Sequence, residues 1–314
     1  MDFLFIDSLW CILSSADELL YMNPQKGKYI TCSYDPANCP DATAMTVTSD
    51  NDMYVMENEQ EDYKQLSMFQ YNHADNDWEH ADIPSVSAYD GTEFLVEVDQ
   101  ILYYCAADIR EAKGLVQMRK YNRHMDQWQE CSQLQLDGSW DCCAALSCGS
   151  HLYLLMLTAM HRYDPSQDCW CERTPPNLVC RYSSFTVVAM GTEIFCTDFH
   201  ITQTMVYDTE SDCWQKLQGW SNPGNLSIGH LPSLFVLENQ LHILFDTYDP
   251  DKQRRSSHFQ VYVYDRSADA WRDLKATLPD KEYYAHGPLC PVIRMYLPYL
   301  KGAQMHITSY GFQR

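Results

Sequence analysis

Over 314 residues the chain carries 43 acidic against 22 basic side chains, a net charge of −21, with 46% hydrophobic and 13% aromatic residues. That negative excess makes a phosphate backbone or an anionic membrane surface an unfavourable partner, so neither nucleic acid nor membrane is expected, while the apolar share is ample for a large core and argues against disorder. The N-terminus lacks a basic region and carries Asp2 and Asp7, which argues against a signal peptide. The fourteen cysteines fall in strand-like apolar runs (Cys11, Cys105, Cys143, Cys148 and Cys196 among them) and read as small buried hydrophobes of a cytoplasmic chain.

In chain order, 9–13, 19–23 and 29–33 read as three strands, with Tyr21 and Tyr29 standing roughly where a recurring aromatic pair belongs. That pair is explicit from there on. Tyr71 and Trp78, Tyr121 and Trp128, Tyr163 and Trp170, Tyr207 and Trp214, and Tyr264 and Trp271 are each separated by six residues, with Asn or Asp always following the Tyr. The tyrosines step by 50, 42, 44 and 57 residues. A fixed inner spacing with a variable outer one marks a structural repeat.

Apolar alternation before each Tyr, a short polar turn, and a second alternating run from the Trp describe strand, tight turn, strand. Two further strand candidates precede each copy: 44–48 and 53–56, 94–98 and 101–105, 144–147 and 152–155, 185–189 and 194–197, and 234–237 and 241–244. Four strands per unit at this period make a β-propeller blade. After Trp271 the apolar run 290–297 is a strand without a partner pair, and the first unit lacks one strand. Joining them gives one all-β domain, a ring of six blades at about 1–40 with 289–314, 41–84, 85–136, 137–176, 177–222 and 223–288; residues 300–314 receive no assignment. Each Trp would bury about 150–250 Å², or on the order of 4–6 kcal/mol, making it a core anchor.

The four-strand unit, the Tyr-Asn/Asp after the third strand and the Trp opening the fourth resemble the kelch propellers, over nearly the whole chain. Their double glycine after the second strand is replaced by Glu57-Asn58, Ala106-Ala107, Met156-Leu157, Asp198-Phe199 and Phe245-Asp246. Diverged glycines with many Cys and Met are similar to the propellers of BTB-BACK-kelch adaptors. That resemblance implies substrate recognition for a Cullin-3 ubiquitin ligase, the cullin itself being held by a BTB part outside this sequence. Within that group it also implies the regulatory subunit of phosphoinositide 3-kinase as a bound protein. The alternatives are a structural or cytoskeletal kelch scaffold and a metal-dependent oxidase propeller.

No catalytic constellation is readable. The run Gly224-Asn225-Leu226-Ser227-Ile228-Gly229 has the wrong spacing for a nucleophile elbow, and no glycine-rich phosphate loop is present. Cys169-Trp170-Cys171 and Cys142-Cys143 are the nearest approach to a metal-ligand pair, and ordinary packing accounts for them better. A non-catalytic binding module without cofactor or metal is the expectation. Its long connections are the second-to-third-strand loops at 57–66, 106–115 and 246–258 and the blade-to-blade loops at 79–92, 129–142, 172–184, 216–232 and 273–289, all on one face. Tyr89, Trp140 and Tyr182 recur just ahead of a first strand there, either lining the mouth of the channel or wedging between blades. Arg181 and His230 stand beside equivalent positions, and Arg110, Lys113, Lys252, Arg254 and Arg255 supply basic charge. A protein partner with a neutral or basic segment is expected on this face.

Overall fold

Strands form where the apolar runs alternate. The computed structural model describes residues 7–14, 18–25, 28–35, 40, 42–59, 65–108, 113–137, 143–176, 178, 185–201, 203–217, 227–228, 232–248, 258–276, 292–296 and 304–307. The chain opens with the antiparallel meander β1 (Asp7–Ser14), β2 (Glu18–Asn23) and β3 (Lys28–Ser33). A second sheet takes β4 (Ala42–Val47), β5 (Met53–Asn58), β6 (Gln65–Asn72) and β7 (Asp77–His80), with β8 (Val86–Ser87) returning to β6. The third repeats this plan with β9 (Thr92–Val98), β10 (Ile101–Asp108), β11 (Lys113–Asn122) and β12 (Gln127–Glu130), and β13 (Leu134–Asp137) returning to β11.

The fourth and fifth sheets are plain four-strand meanders. They are β14 (Cys143–Cys148), β15 (His151–Met156), β16 (Met160–Asp164) and β17 (Cys169–Arg173), then β18 (Phe185–Met190), β19 (Glu193–Asp198), β20 (Thr204–Asp208) and β21 (Cys213–Leu217). In the sixth, β22 (Ser227–Ile228) and β23 (Ser233–Leu237) both pair with β24 (Gln240–Tyr248), followed by β25 (His258–Asp265) and β26 (Ala270–Asp273). Finally β27 (Val292–Tyr296) pairs with β1 in the register Cys11 to Val292, and β28 (Gln304–Ile307) pairs with β3. Both ends of the chain therefore build the first sheet, and among the described residues the strands make six antiparallel sheets.

Successive side chains of a strand point to opposite faces, so each sheet buries one set of residues against the sheet before it and the other set against the sheet after it. On β10, Leu102, Tyr104 and Ala106 pack with Tyr54, Met56 and Leu66 of the second sheet, while Tyr103, Cys105 and Ala107 pack with Leu152 and Leu154 of the fourth. Tyr153 and Leu155 meet Phe185 and Val187 in the next seam, and Phe195 and Val206 meet Leu234 and Ile243 in the one after. Phe235, Leu237 and Leu244 then pack on Leu20 and Met22, and Leu19, Tyr21 and Ile30 on Val55 and Tyr71. The apolar seams thus run round a ring, and the chain is an all-β propeller.

Several expectations need correction. Tyr21 faces Ile30 across the hairpin of β2 and β3, and Tyr29 sits one residue away opposite Met22, so Tyr29 does not take the Trp position. Alternation sends Ile30 into the seam with the second sheet and Tyr29 toward the seam with the sixth. The loops after the second strands are shorter than the apolar pattern suggests, because β10 runs to Asp108 and β11 begins at Lys113. Two glycines elsewhere permit this. A Cβ at Gly91, whose φ is +131°, would lie 2.4 Å from the carbonyl carbon of Ala107, and one at Gly114 would lie 2.7 Å from the Asp108 oxygen. Val86 and Ser87 pair within the second sheet, which moves its boundary past residue 84.

Candidate functional site

The repeat is a clamp between neighbouring sheets. In each copy the Asn or Asp after the Tyr folds its side chain over the turn: the Asp164 carboxylate accepts from the Ser166 and Gln167 N–H groups at 2.9 and 3.3 Å. Asn72, Asn122, Asp208 and Asp265 do the same with the residues two and three ahead. The turn ends on Asn76, Asp126, Asp168, Asp212 or Asp269, each at positive φ between 47° and 55°, a conformation that Asn and Asp tolerate. Four of these carboxylates then accept the hydroxyl of their own Tyr, at 2.7 Å for Tyr121, 2.6 Å for Tyr163 and Tyr207, and also for Tyr264.

Two of these carboxylates also reach the preceding sheet. Ser132 N–H donates to Asp168 at 2.8 Å while the Trp170 indole donates to the Ser132 carbonyl at 2.8 Å. Thr174 is gripped in the same way by Asp212 at 3.0 Å and Trp214 at 2.7 Å. In the third sheet Trp128 donates to the Pro84 carbonyl at 2.8 Å, and the proline has no N–H to offer Asp126. Burial and then the carboxylate acceptor push the phenols of Tyr163, Tyr207 and Tyr264 well above their ordinary value, and Tyr121 to about 12. The Asn or Asp that closes each turn is legible as the sixth residue of every copy, Asn76 in the first and Asp in the other four, yet only the neighbouring sheet reveals its role.

The tyrosines are the deep anchors, with Tyr163 and Tyr207 at 0% exposure, whereas Trp128, Trp170, Trp214 and Trp271 are only half-buried; Trp78 is buried. The expectation of uniformly core-buried tryptophans is therefore corrected. All five lie against their tyrosines at 5.1–5.5 Å between ring centroids, and Trp128, Trp170 and Trp214 spend their indole N–H groups on the seam, which keeps those three near its rim.

Of the residues expected to contact a partner, the structure describes Tyr89. Trp140, Arg181, Tyr182, His230, Arg110, Arg254 and Arg255 lie outside the described residues, as do Lys252 and Cys142. Tyr89 is built into the seam between the second and third sheets. Its ring stacks on Tyr104 at 5.7 Å, the Arg119 guanidinium covers it at 4.3 Å, and its hydroxyl donates to Glu130 at 2.6 Å. Arg119 bonds Glu130 at 2.7 Å and the Ser87 carbonyl at 2.7 Å, and Tyr104 donates to Glu93 at 2.8 Å. Burial pushes the Glu130 carboxyl up, but the bonds from Tyr89 and Arg119 outweigh it and hold the group below its usual range. The wedge reading of Tyr89 is the one its contacts fit, and its half-buried ring with Arg119 forms a rigid rim.

Two open pockets lie on the face of the tight turns. One of about 430 Å³ is lined by Asp52, Tyr71, His73, Glu79 and His80, and one of about 300 Å³ by Gln240, Tyr264, Arg266, Ser267 and Arg272. Cys169 is exposed and Cys171 half-buried with its thiol 3.5 Å from the Arg162 carbonyl, while Cys32, Cys105, Cys131, Cys143, Cys148 and Cys196 are buried. Among the described residues no three His, Cys, Asp or Glu side chains are placed to share a metal ion, and no helix is long and apolar enough to cross a membrane.

No family model matches the sequence, and no curated protein matches it. Solved structures do resemble it. A chain of the nidogen/laminin complex is 8% identical, with 91% of this chain and 98% of that one covered at a TM-score of 0.52. The WD40 repeats of RRP9 are 11% identical, covering 85% and 80% at 0.45. A Bacteroides uniformis protein assigned as a 6-phosphogluconolactonase is 9% identical, covering 88% and 100% at 0.47. At 8% identity the likeness to the first speaks for the fold alone, and the other two, with TM-scores below 0.5, carry no argument.

Proposed function

We propose that this propeller is a non-catalytic protein-recognition module: a six-bladed, kelch-type ring that presents a protein substrate to a Cullin-3 ubiquitin ligase in the cytoplasm. The observation that supports it is the contrast between the two faces. The turns 73–76, 123–126, 165–168, 209–212 and 266–269 are all four residues long and close on their own Asn or Asp, whereas the connections on the opposite face differ from sheet to sheet. A scaffold that is uniform on one side and variable on the other is how rigid folds carry specificity. The Cullin-3 step rests on the kelch resemblance of the aromatic repeat, and the regulatory subunit of phosphoinositide 3-kinase is the first partner to try.

The test is calorimetry of the folded domain against that subunit, and against any protein that affinity purification recovers from cytosol. Trp140→Ala and Tyr182→Ala should each weaken binding by roughly 2 kcal/mol or more, as large aromatics at an interface centre do. Ser166→Ala and Glu210→Ala, in the uniform turns, should leave affinity unchanged. Tyr89→Ala should lower stability first, since its contacts are spent inside the seam. The reading fails if the turn variants weaken the complex and the two aromatics are indifferent.

A further inference from the structure

His242, on β24, is fully buried in the seam where the ring closes on itself. Its ring stacks on Phe235 at 5.1 Å, with Nδ1 2.9 Å from the Gln240 carbonyl and Nε2 3.3 Å from the side-chain nitrogen of Gln25. Gln25 belongs to the turn between β2 and β3 and also donates to the Gln240 side-chain oxygen at 2.8 Å. The contact therefore crosses from the sixth sheet to the first. A neutral imidazole with its proton on Nδ1 satisfies both neighbours, donating to Gln240 and accepting from Gln25. A second proton turns Nε2 into a donor aimed at a donor.

Among the described residues the charged group acting on His242 is Arg272 on β26, two strands away in the same sheet, and it repels an imidazolium. The opposite seam of the first sheet holds a second imidazole. His73 packs edge-on against Tyr71 at 5.0 Å and near Tyr21 of the first sheet at 6.5 Å, with both ring nitrogens buried and unbonded; Asp52 favours its proton but burial outweighs it.

We propose that Gln25 on His242 is an acid-sensitive latch: protonation of this buried imidazole breaks the bond across the closing seam and releases the first sheet while the others stay paired. His73 loads the far side of that sheet in the same sense. Burial, with Arg272, holds His242 at about 4 against an ordinary 6.5. The latch is at full strength above the ordinary value, weakens as pH falls below it, and loses nothing more below the folded value. Between pH 7 and pH 5 the opening constant should rise about twentyfold.

Hydrogen exchange read by mass spectrometry, corrected for the intrinsic pH dependence, tests this on the full chain. Peptides from 18–33 should open about twentyfold more readily at pH 5 than at pH 7, and those from 143–173 should not change. His242→Gln should remove most of that rise. Gln25→Glu, which sets a carboxylate against Nε2, should remove or reverse it even if the histidine variant folds poorly. The proposal is overturned if acid loosens all the sheets alike, or if Gln25→Glu keeps the wild-type pH dependence.

Discussion

Asp212 gathers three jobs in one carboxylate: it closes a turn at positive φ, accepts the Tyr207 hydroxyl, and holds the Thr174 N–H of the preceding sheet. Asp212→Ala leaves a buried phenol and a backbone donor without partners, so urea titration should show a loss of about 2–4 kcal/mol. Asp126→Ala should cost less, because Pro84 stands where Thr174 does and has no N–H to strand. Equal losses would refute the clamp as the source of the effect. The Tyr, the Trp and the polar residues between them could be read from spacing alone. What the spacing hid is how the polar group is used, since its second partner lies 36 residues upstream at Ser132 for Asp168 and 38 upstream at Thr174 for Asp212. Tyr89 was ambiguous for the same reason: its acceptor, Glu130, is 41 residues away.

Strand positions followed the apolar alternation closely, and strand ends did not. The expected strand stops at Cys105, yet β10 continues to Asp108 because Ala106 and Ala107, small side chains that mark a period weakly, are buried in the two flanking seams and pair with Gln117 and Val116. Short returns such as β8 and β13 are invisible for a related reason, being too brief to show a period. The first sheet offers the clearest test at this scale. β27 pairs with β1 over five residue pairs, whereas β28 adds only an outer strand to β3. Deleting 301–314 should cost about 1 kcal/mol or less and keep a single transition, since an edge strand stabilises little beyond itself. Deleting 289–314 also strips β1 of its partner and opens an edge. A broadened or two-step melt, by circular dichroism and calorimetry, is expected for the longer deletion alone.

At the scale of the whole molecule, ring closure and net charge pull against each other. Seams of buried Tyr, Leu, Val and Phe draw the sheets together, while a charge of −21 spread over the same body repels itself. Part of that charge serves the turns: Asp164, Asp208 and Asp265 are held below the usual carboxylate range by hydrogen bonds from their own turns, Ser166 foremost for Asp164, the Glu210 N–H for Asp208 and Ser267 for Asp265. These acids stay ionised in the folded ring. Added salt screens the long-range repulsion far more than it disturbs hydrogen bonds at contact distance, the Debye length falling from about 30 Å at 0.01 M to about 8 Å at 0.15 M. Raising sodium chloride across that range should therefore raise the melting temperature by a few degrees. The same screening removes the attraction that would steer a basic partner segment, so the association rate measured by stopped flow should fall over the same interval. The two trends must have opposite signs if the negative field drives both. A partner whose association quickens with salt would be one that the same negative field repels, and the expectation of a neutral or basic segment would fall.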